Sequence, residues 1–394
     1  MMNKTSKKYR IYQVIPDGGT ILSAKTKSSI WKKNLYQSLV NMGHDVVLLD
    51  FYYDDFFVHA ENQVWLKERR KTFTQKIYEQ FIVEHTKKKF DFCFFYLCDD
   101  FIDLGVIQEI KDKGVPVLNY SCNNVHQFHL VQQISKLANY AIYTEKEAKV
   151  SFDKIRANSV HMQMAANPDL YYPRKLSYIH DVAFIGQRYA DRGRTLANLI
   201  KKGINVYAFG PRWDVNGEKV GNHTLPEKLD KLLTIMKREG VLSGVKAMAS
   251  KITDKRKINE ENEILKGHVG PILSDDEMVQ LFSQSKINLG FSNVYLNGRD
   301  NSKVMSHVRL RDFEIPMCGA FYLTGYTNEI EEYFEIGKEI ETFNDFEELS
   351  DKCVFYLQND TLRRKIAENA YQKSINNHTW ENRFNDLFNK IQVN

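Results

Sequence analysis

The sequence lacks any apolar run near the eighteen residues that a membrane-crossing helix needs, so none is expected. Its start, MMNKTSKKYRIYQVIP, is basic but enters a short strand-like segment with no apolar core or cleavage site, unlike a signal peptide. Cysteine is sparse: Cys93, Cys98, Cys122, Cys318 and Cys353 form no CxxC pair, which suits reduced thiols rather than a disulfide framework. Internal repeats and low-complexity stretches are absent, which excludes solenoids and biased linkers. Charge of one sign is not in excess either, since 55 basic residues meet 50 acidic ones and leave a net +5. That is too mild to imply nucleic acid by itself. The expectation is a soluble cytoplasmic protein, and 394 residues suffice for two cores.

What is present is alternation. Arg10–Ile15, Val46–Leu49, Phe92–Leu97, Val115–Tyr120 and Tyr140–Tyr143 read as strands. Helical stretches fall between them, near Ser28–Met42, Leu104–Lys113 and Gln127–Leu137. Strands recurring with intervening helices predict a parallel sheet covered on both faces, a Rossmann-like half. Ala165–Pro173 breaks the pattern with two prolines, and the alternation then begins afresh at Asp181–Ile185, Ile204–Phe209, Ile287–Phe291 and Ala320–Leu323. The expected domains are 1–170 and 178–376, with a helical basic insertion at about 220–270. Residues 377–394 read as an amphipathic helix packing back on the first domain. Between Glu227 and Lys257 nine Lys and Arg meet four Asp and Glu, so the segment 226–258 is a candidate for peripheral contact with an anionic membrane. It holds no aromatic side chain for base stacking, which argues against nucleic acid.

In open parallel sheets ligands bind beyond the carboxyl ends of the strands. The strand DVAFI empties into Gly186-Gln187-Arg188-Tyr189-Ala190-Asp191-Arg192. Gly186 permits close backbone approach there, and Arg188 and Arg192 offer forked donors for an anion beside a helix start. A tight turn with a solvated basic helix is the plainer reading. A second group is Arg309, Arg311 and Glu314, followed by Gly319 as a helix stop. A carboxylate there accepts ribose hydroxyls, or simply pairs with Arg311 at i,i+3. In the first half, Pro16-Asp17-Gly18-Gly19 follows the first strand, Asp99 and Asp100 follow the third, and His126 follows the fourth. Gly18 and Gly19 suit close approach to a ligand, whereas Asp99, Asp100 and His126 are candidates for a general base. His126 and His129 find no third ligand, and no metal site is expected.

Residues 181–214 and 311–384 resemble the group-1-type glycosyltransferase domain of the CgeB-like spore-maturation family, and AANPDLYYP at 165–173 resembles the segment before it. The resemblance implies a GT-B fold, two facing Rossmann-like doubly wound domains, with a nucleotide-sugar donor held mainly by the second. A UDP-sugar is the first choice of donor, and no cofactor is implied. Glu314 matches the family's Glu before the P-x-x-G turn and by analogy holds the ribose. Arg309, Arg311 and the Gly186–Arg192 loop by analogy hold the diphosphate. Related retaining enzymes carry a second Glu eight residues upstream, where this chain has Ser306. No two Asp residues stand two positions apart, so the Asp-x-Asp metal clamp of the other common transferase architecture is absent and metal-independent transfer is expected. The acceptor is a glycan, a lipid-linked group or a protein. The rival reading is a nucleotide- or glycan-binding protein that keeps the fold without turnover.

Overall fold

The computed structural model describes residues 7–16, 29–213, 258–295 and 304–391. Gly18, Gly19 and the basic segment up to residue 257 lie outside the described residues. The chain forms two units: among the described residues, 7–164 with 380–391, and those from 165 to 379.

The first unit carries a parallel sheet of β1 (Arg10–Val14), β2 (Asp45–Leu48), β3 (Phe92–Phe95), β4 (Val117–Ser121), β5 (Tyr140–Tyr143) and β6 (Ser159–His161), in the order β2-β1-β3-β4-β5-β6. β1, β3 and β4 are buried along their whole length, and β3 accordingly reads as an unbroken apolar and aromatic run rather than as alternation. One face packs on the 25-residue helix Gln63–Lys87 through Phe73, Ile77 and Phe81. The basic residues of that helix settle into ordinary ion pairs, Arg70 with Asp100 and Lys87 with Glu84. Helix Trp380–Lys390 also belongs to this unit. Its Phe384 packs on Phe94 (ring centroids 5.7 Å apart) and its Phe388 on Phe92 (5.8 Å). Arg383 adds a hydrogen bond to the Met164 carbonyl, 219 residues earlier in the chain.

One expected helix is not formed as read. Residues 124–137 make two short helices, Asn124–Gln127 and Gln132–Leu137, joined by a 3₁₀ turn. Asn123 takes a left-handed φ of 57° before the first, and Asp99 accepts the N–H groups of Gln133 and Ile134, each at 2.8 Å, which starts the second afresh.

His44 follows Gly43, whose φ of +82° ends the preceding helix. The imidazole is buried between Tyr9 and Phe388, and Nδ1 accepts the Tyr9 N–H at 3.1 Å. Burial first, and then the charge of Lys8, pull its pKa down to about 4 against the opposing pull of Asp91. The unfolded chain binds this proton near pH 6.5 and the native one does not, so stability falls as pH drops from 6.5 towards 4. The expected loss is on the order of 3 kcal/mol. Urea unfolding of wild type and His44→Asn at pH 7 and pH 4.5 checks it. Asparagine keeps an acceptor for Tyr9 but has no proton to gain, so the variant should lose visibly less stability between the two values. Parallel losses would remove His44 as the cause.

The second unit repeats the architecture with β7 (His180–Ile185), β8 (Val206–Phe209), β9 (Val269–Gly270), β10 (Ser285–Leu289), β13 (Tyr322–Gly325) and β14 (Glu341–Phe343), all parallel, in the order β14-β13-β10-β7-β8-β9. A separate antiparallel hairpin joins β11 (Asn293–Tyr295) to β12 (Val304–Ser306). Renumbered within the unit, the sheet order is 3-2-1-4-5-6, the doubly wound arrangement of dinucleotide-binding domains. Both units are thus the doubly wound parallel layers that the alternation predicts.

Candidate functional site

In the second sheet β7 and β10 are neighbours, yet the chain leaves them towards opposite edges. That is the switch point at which such sheets bind ligands, between the loops leaving the two strands. The loop after β7 is firmly held. Gly186 donates to the Phe209 carbonyl at 2.9 Å and accepts from Trp213 Nε1 at 2.6 Å. Gly210, at φ +127°, lies so close that a Cβ there would stand 2.7 Å from the Gly186 oxygen. Further along, the Tyr189 hydroxyl accepts the Tyr295 N–H at 2.8 Å and donates to the Tyr295 carbonyl, while the Tyr295 hydroxyl donates to Asp191. Between these two anchors Ala190 has φ +48°, a left-handed conformation that costs a non-glycine residue about 1–3 kcal/mol.

This loop delivers Arg192 to the start of helix Arg192–Lys201, whose N-cap Asp191 makes no capping bond of its own. The Arg192 guanidinium donates to the carbonyls of Gln187 (3.1 Å) and Phe291 (3.4 Å) and lies against the rings of Phe184, Tyr189 and Phe291. Burial, and then the like charge of Arg309, pull its pKa down to about 10. Among the described residues it forms no ion pair. Arg309 donates to the carbonyls of Asn293 (3.2 Å) and Ser292 (3.4 Å), beyond the end of β10. Arg192, a buried guanidinium held by neutral carbonyls with the like charge of Arg309 nearby, makes a place for an anion.

Five residues on, helix Arg311–Met317 presents Glu314, which is fully buried. One carboxylate oxygen pairs with Arg311, and the other, Oε1, has no hydrogen-bond partner among the described residues. Pairing and ligand binding are therefore compatible, because each takes one oxygen. Asp312, beside it, is 1% exposed and accepts the Arg309 N–H at 2.5 Å, the Tyr322 hydroxyl at 2.8 Å and the Thr324 hydroxyl at 3.3 Å. Burial pushes its carboxyl up to about 6 against those three bonds.

The other sequence candidates take different places. Arg188 is bound by Glu261 (2.8 Å) and Asn262 (2.5 Å), so its charge is already met. Gly319 ends the helix at φ +62°, and a Cβ there would stand 3.0 Å from Pro173, so its role is in the turn and its packing. In the first unit Asp99 caps helix Gln132–Leu137, and burial raises its pKa to about 6. Asp100 accepts from Gln63 at 2.5 Å and pairs with Arg70 at 3.0 Å. Both carboxylates reinforce the fold. His126 stands half-buried in the four-residue helix after β4, at the carboxyl end of its sheet. His129 lies in the 3₁₀ turn that follows, 3.1 Å from Glu61, and so the two histidines do not share one helix. Sequence reading passed over Asp312, Tyr189 and Tyr295.

Residues 245–389 match a family of proteins described as glycosyl transferase-like. No curated protein matches the chain in sequence. In structure it is similar to sucrose-phosphate synthase from Thermosynechococcus elongatus (TM-score 0.60, 11% identity, 97% of this chain and 99% of that one). It is also similar to Anabaena HepE, solved in complex with UDP and glucose (TM-score 0.58, 11% identity, 97% of this chain and 100% of that one). The fold is that of the GT-B glycosyltransferases, and the second unit holds most of the glycosyl transferase-like match.

Proposed function

We propose that this GT-B glycosyltransferase moves a sugar from a nucleoside-diphosphate donor, UDP-linked in the first instance, to a glycan, lipid-linked or protein acceptor. Within the fold we assign it to the CgeB-like group, on the stretches at 181–214 and 311–384. The observation that carries the reading is Glu314, a buried carboxylate with one oxygen paired to Arg311 and the other without a hydrogen-bond partner among the described residues. A buried acceptor without a donor costs about 1–3 kcal/mol, and a ribose hydroxyl relieves that cost.

Breaking a sugar–phosphate bond leaves positive charge on the sugar and negative charge on the departing diphosphate. Arg192 and Arg309, fixed before the reaction begins, stabilise that growing negative charge at no cost of reorganisation. In this reading no step requires a metal ion, and the sugar leaves with retained configuration. Ser306 favours the second reading, a binder without turnover, since retaining relatives carry Glu at that position. Release of UDP from a UDP-sugar, with the anomeric proton of the product followed by NMR, separates the two.

A thermal-shift panel of UDP, GDP, ADP, CMP and their sugar conjugates, with and without EDTA, tests the site directly. A ligand at a hundred times its dissociation constant adds about 2.7 kcal/mol, enough to raise the melting point by several degrees. The expected result is a shift with one nucleotide class that survives EDTA. A shift abolished by EDTA removes metal independence, and no shift with any nucleotide removes the donor site.

A further inference from the structure

We infer that Asp312 is a positioning residue: acting through Arg309, it fixes one of the two guanidinium groups of the anion site without touching the ligand. The inference rests on the donor-site reading of that pair. Asp312 is 1% exposed, so neither solvent nor a ligand reaches it freely. Its three hydrogen bonds come from two directions. Oδ2 takes the backbone N–H of Arg309 at 2.5 Å, and Oδ1 takes the Tyr322 and Thr324 hydroxyls of β13 at 2.8 and 3.3 Å. The carboxylate therefore ties the Arg309 backbone to the central sheet, while the guanidinium reaches the Ser292 and Asn293 carbonyls.

That tether opposes a specific force. Burial, with the like charge of Arg309 adding to it, depresses the Arg192 pKa, and a mobile Arg309 would swing away from its like-charged neighbour. Asp312 supplies a buried acceptor for the Arg309 backbone. The surroundings leave room for little else. At Gly290, directly after β10, a Cβ would stand 2.0 Å from the Tyr322 hydroxyl and 2.5 Å from Thr324 Oγ1, displacing both donors to Asp312. Glycine at 290, tyrosine at 322, threonine at 324 and aspartate at 312 thus form one support, and its output is the place of Arg309.

A double-mutant cycle read as UDP affinity by calorimetry, with melting points alongside, tests this. Arg309→Ala should weaken UDP binding by about tenfold or more. Asp312→Ala should weaken it by a similar factor, and the double variant should bind no worse than Arg309→Ala to within about twofold. Asp312→Asn keeps an oxygen for the Arg309 N–H and turns its NH₂ to the two hydroxyl oxygens, so it should bind nearly as wild type does. Additive losses in the double variant, or wild-type affinity in Asp312→Ala, would overturn the inference and leave Asp312 to the fold alone. If wild type itself fails to bind UDP, the donor-site reading falls first and this inference with it. Should Asp312→Ala not fold, Tyr322→Phe with Thr324→Val enters the same cycle under the same expectation.

Discussion

An Arg192→Met variant is expected to lose about two to three orders of magnitude in kcat/KM, mostly in kcat, while remaining as stable as wild type or gaining stability. The two halves of that result have one cause. Arg192 is a desolvated cation bonded to two carbonyls and crowded by Arg309, so it strains the free protein. On the proposed reading the same charge acts when negative charge accumulates on the departing diphosphate, so the loss should appear in kcat rather than in ground-state binding. Arg192→Lys should fall between the two, since an ammonium keeps the charge but loses the fork that spans two carbonyls. Steady-state kinetics on a UDP-sugar, with the melting point of each protein, provide the test. Unchanged kcat, or a variant destabilised by more than about 2 kcal/mol, would show that Arg192 holds the fold rather than the leaving group.

The second large effect belongs to Glu314. Glu314→Ala should weaken UDP binding by about 1.5–3 kcal/mol, roughly ten- to a hundred-and-fifty-fold. The ribose assignment makes a sharper claim. Wild type should bind 2′-deoxy-UDP or 3′-deoxy-UDP more weakly than UDP, and Glu314→Ala should no longer distinguish the deoxy form from UDP. If the variant keeps the full discrimination, Glu314 does not read the ribose. Because Arg311 loses its partner in the same variant, Arg311→Met is the control. It removes the ion pair and leaves the Glu314 oxygens available.

Much of the fold was legible because buried parallel strands announce themselves as apolar runs. Phe92–Phe95 and Val182–Ile185 need no alternation to be recognised, and the turn after the second carries Gly186 and Arg192 of the site. The edges were harder. β9 has two residues, β14 has three, and the β11–β12 hairpin is short and partly polar, so none offers a period to count. Long-range partners were invisible for a different reason. Arg188 looked available because Glu261 and Asn262 lie 73 and 74 residues away, with no local pattern to tie them together. Asp99 looked like a base because nothing near it in sequence shows that the N–H groups of Gln133 and Ile134 claim it. Asp312 was hidden most completely. An acid in the first turn of a helix is commonplace, and only the folded sheet brings Tyr322 and Thr324 to its other oxygen.

Helix Trp380–Lys390 bears on how the chain is made as well as how it is held. During synthesis β1 to β6 emerge early, but the helix that covers Phe92 and Phe94 arrives only after the whole second unit. Until then the first sheet has aromatic side chains without their cover, and Arg383 has yet to meet Met164 across 219 residues. The described residues of the second unit all lie between 165 and 379, so it waits for no such late piece. A released chain that stops at residue 379 should therefore hold a folded second unit beside an unfinished first one that chaperones recognise by its uncovered rings.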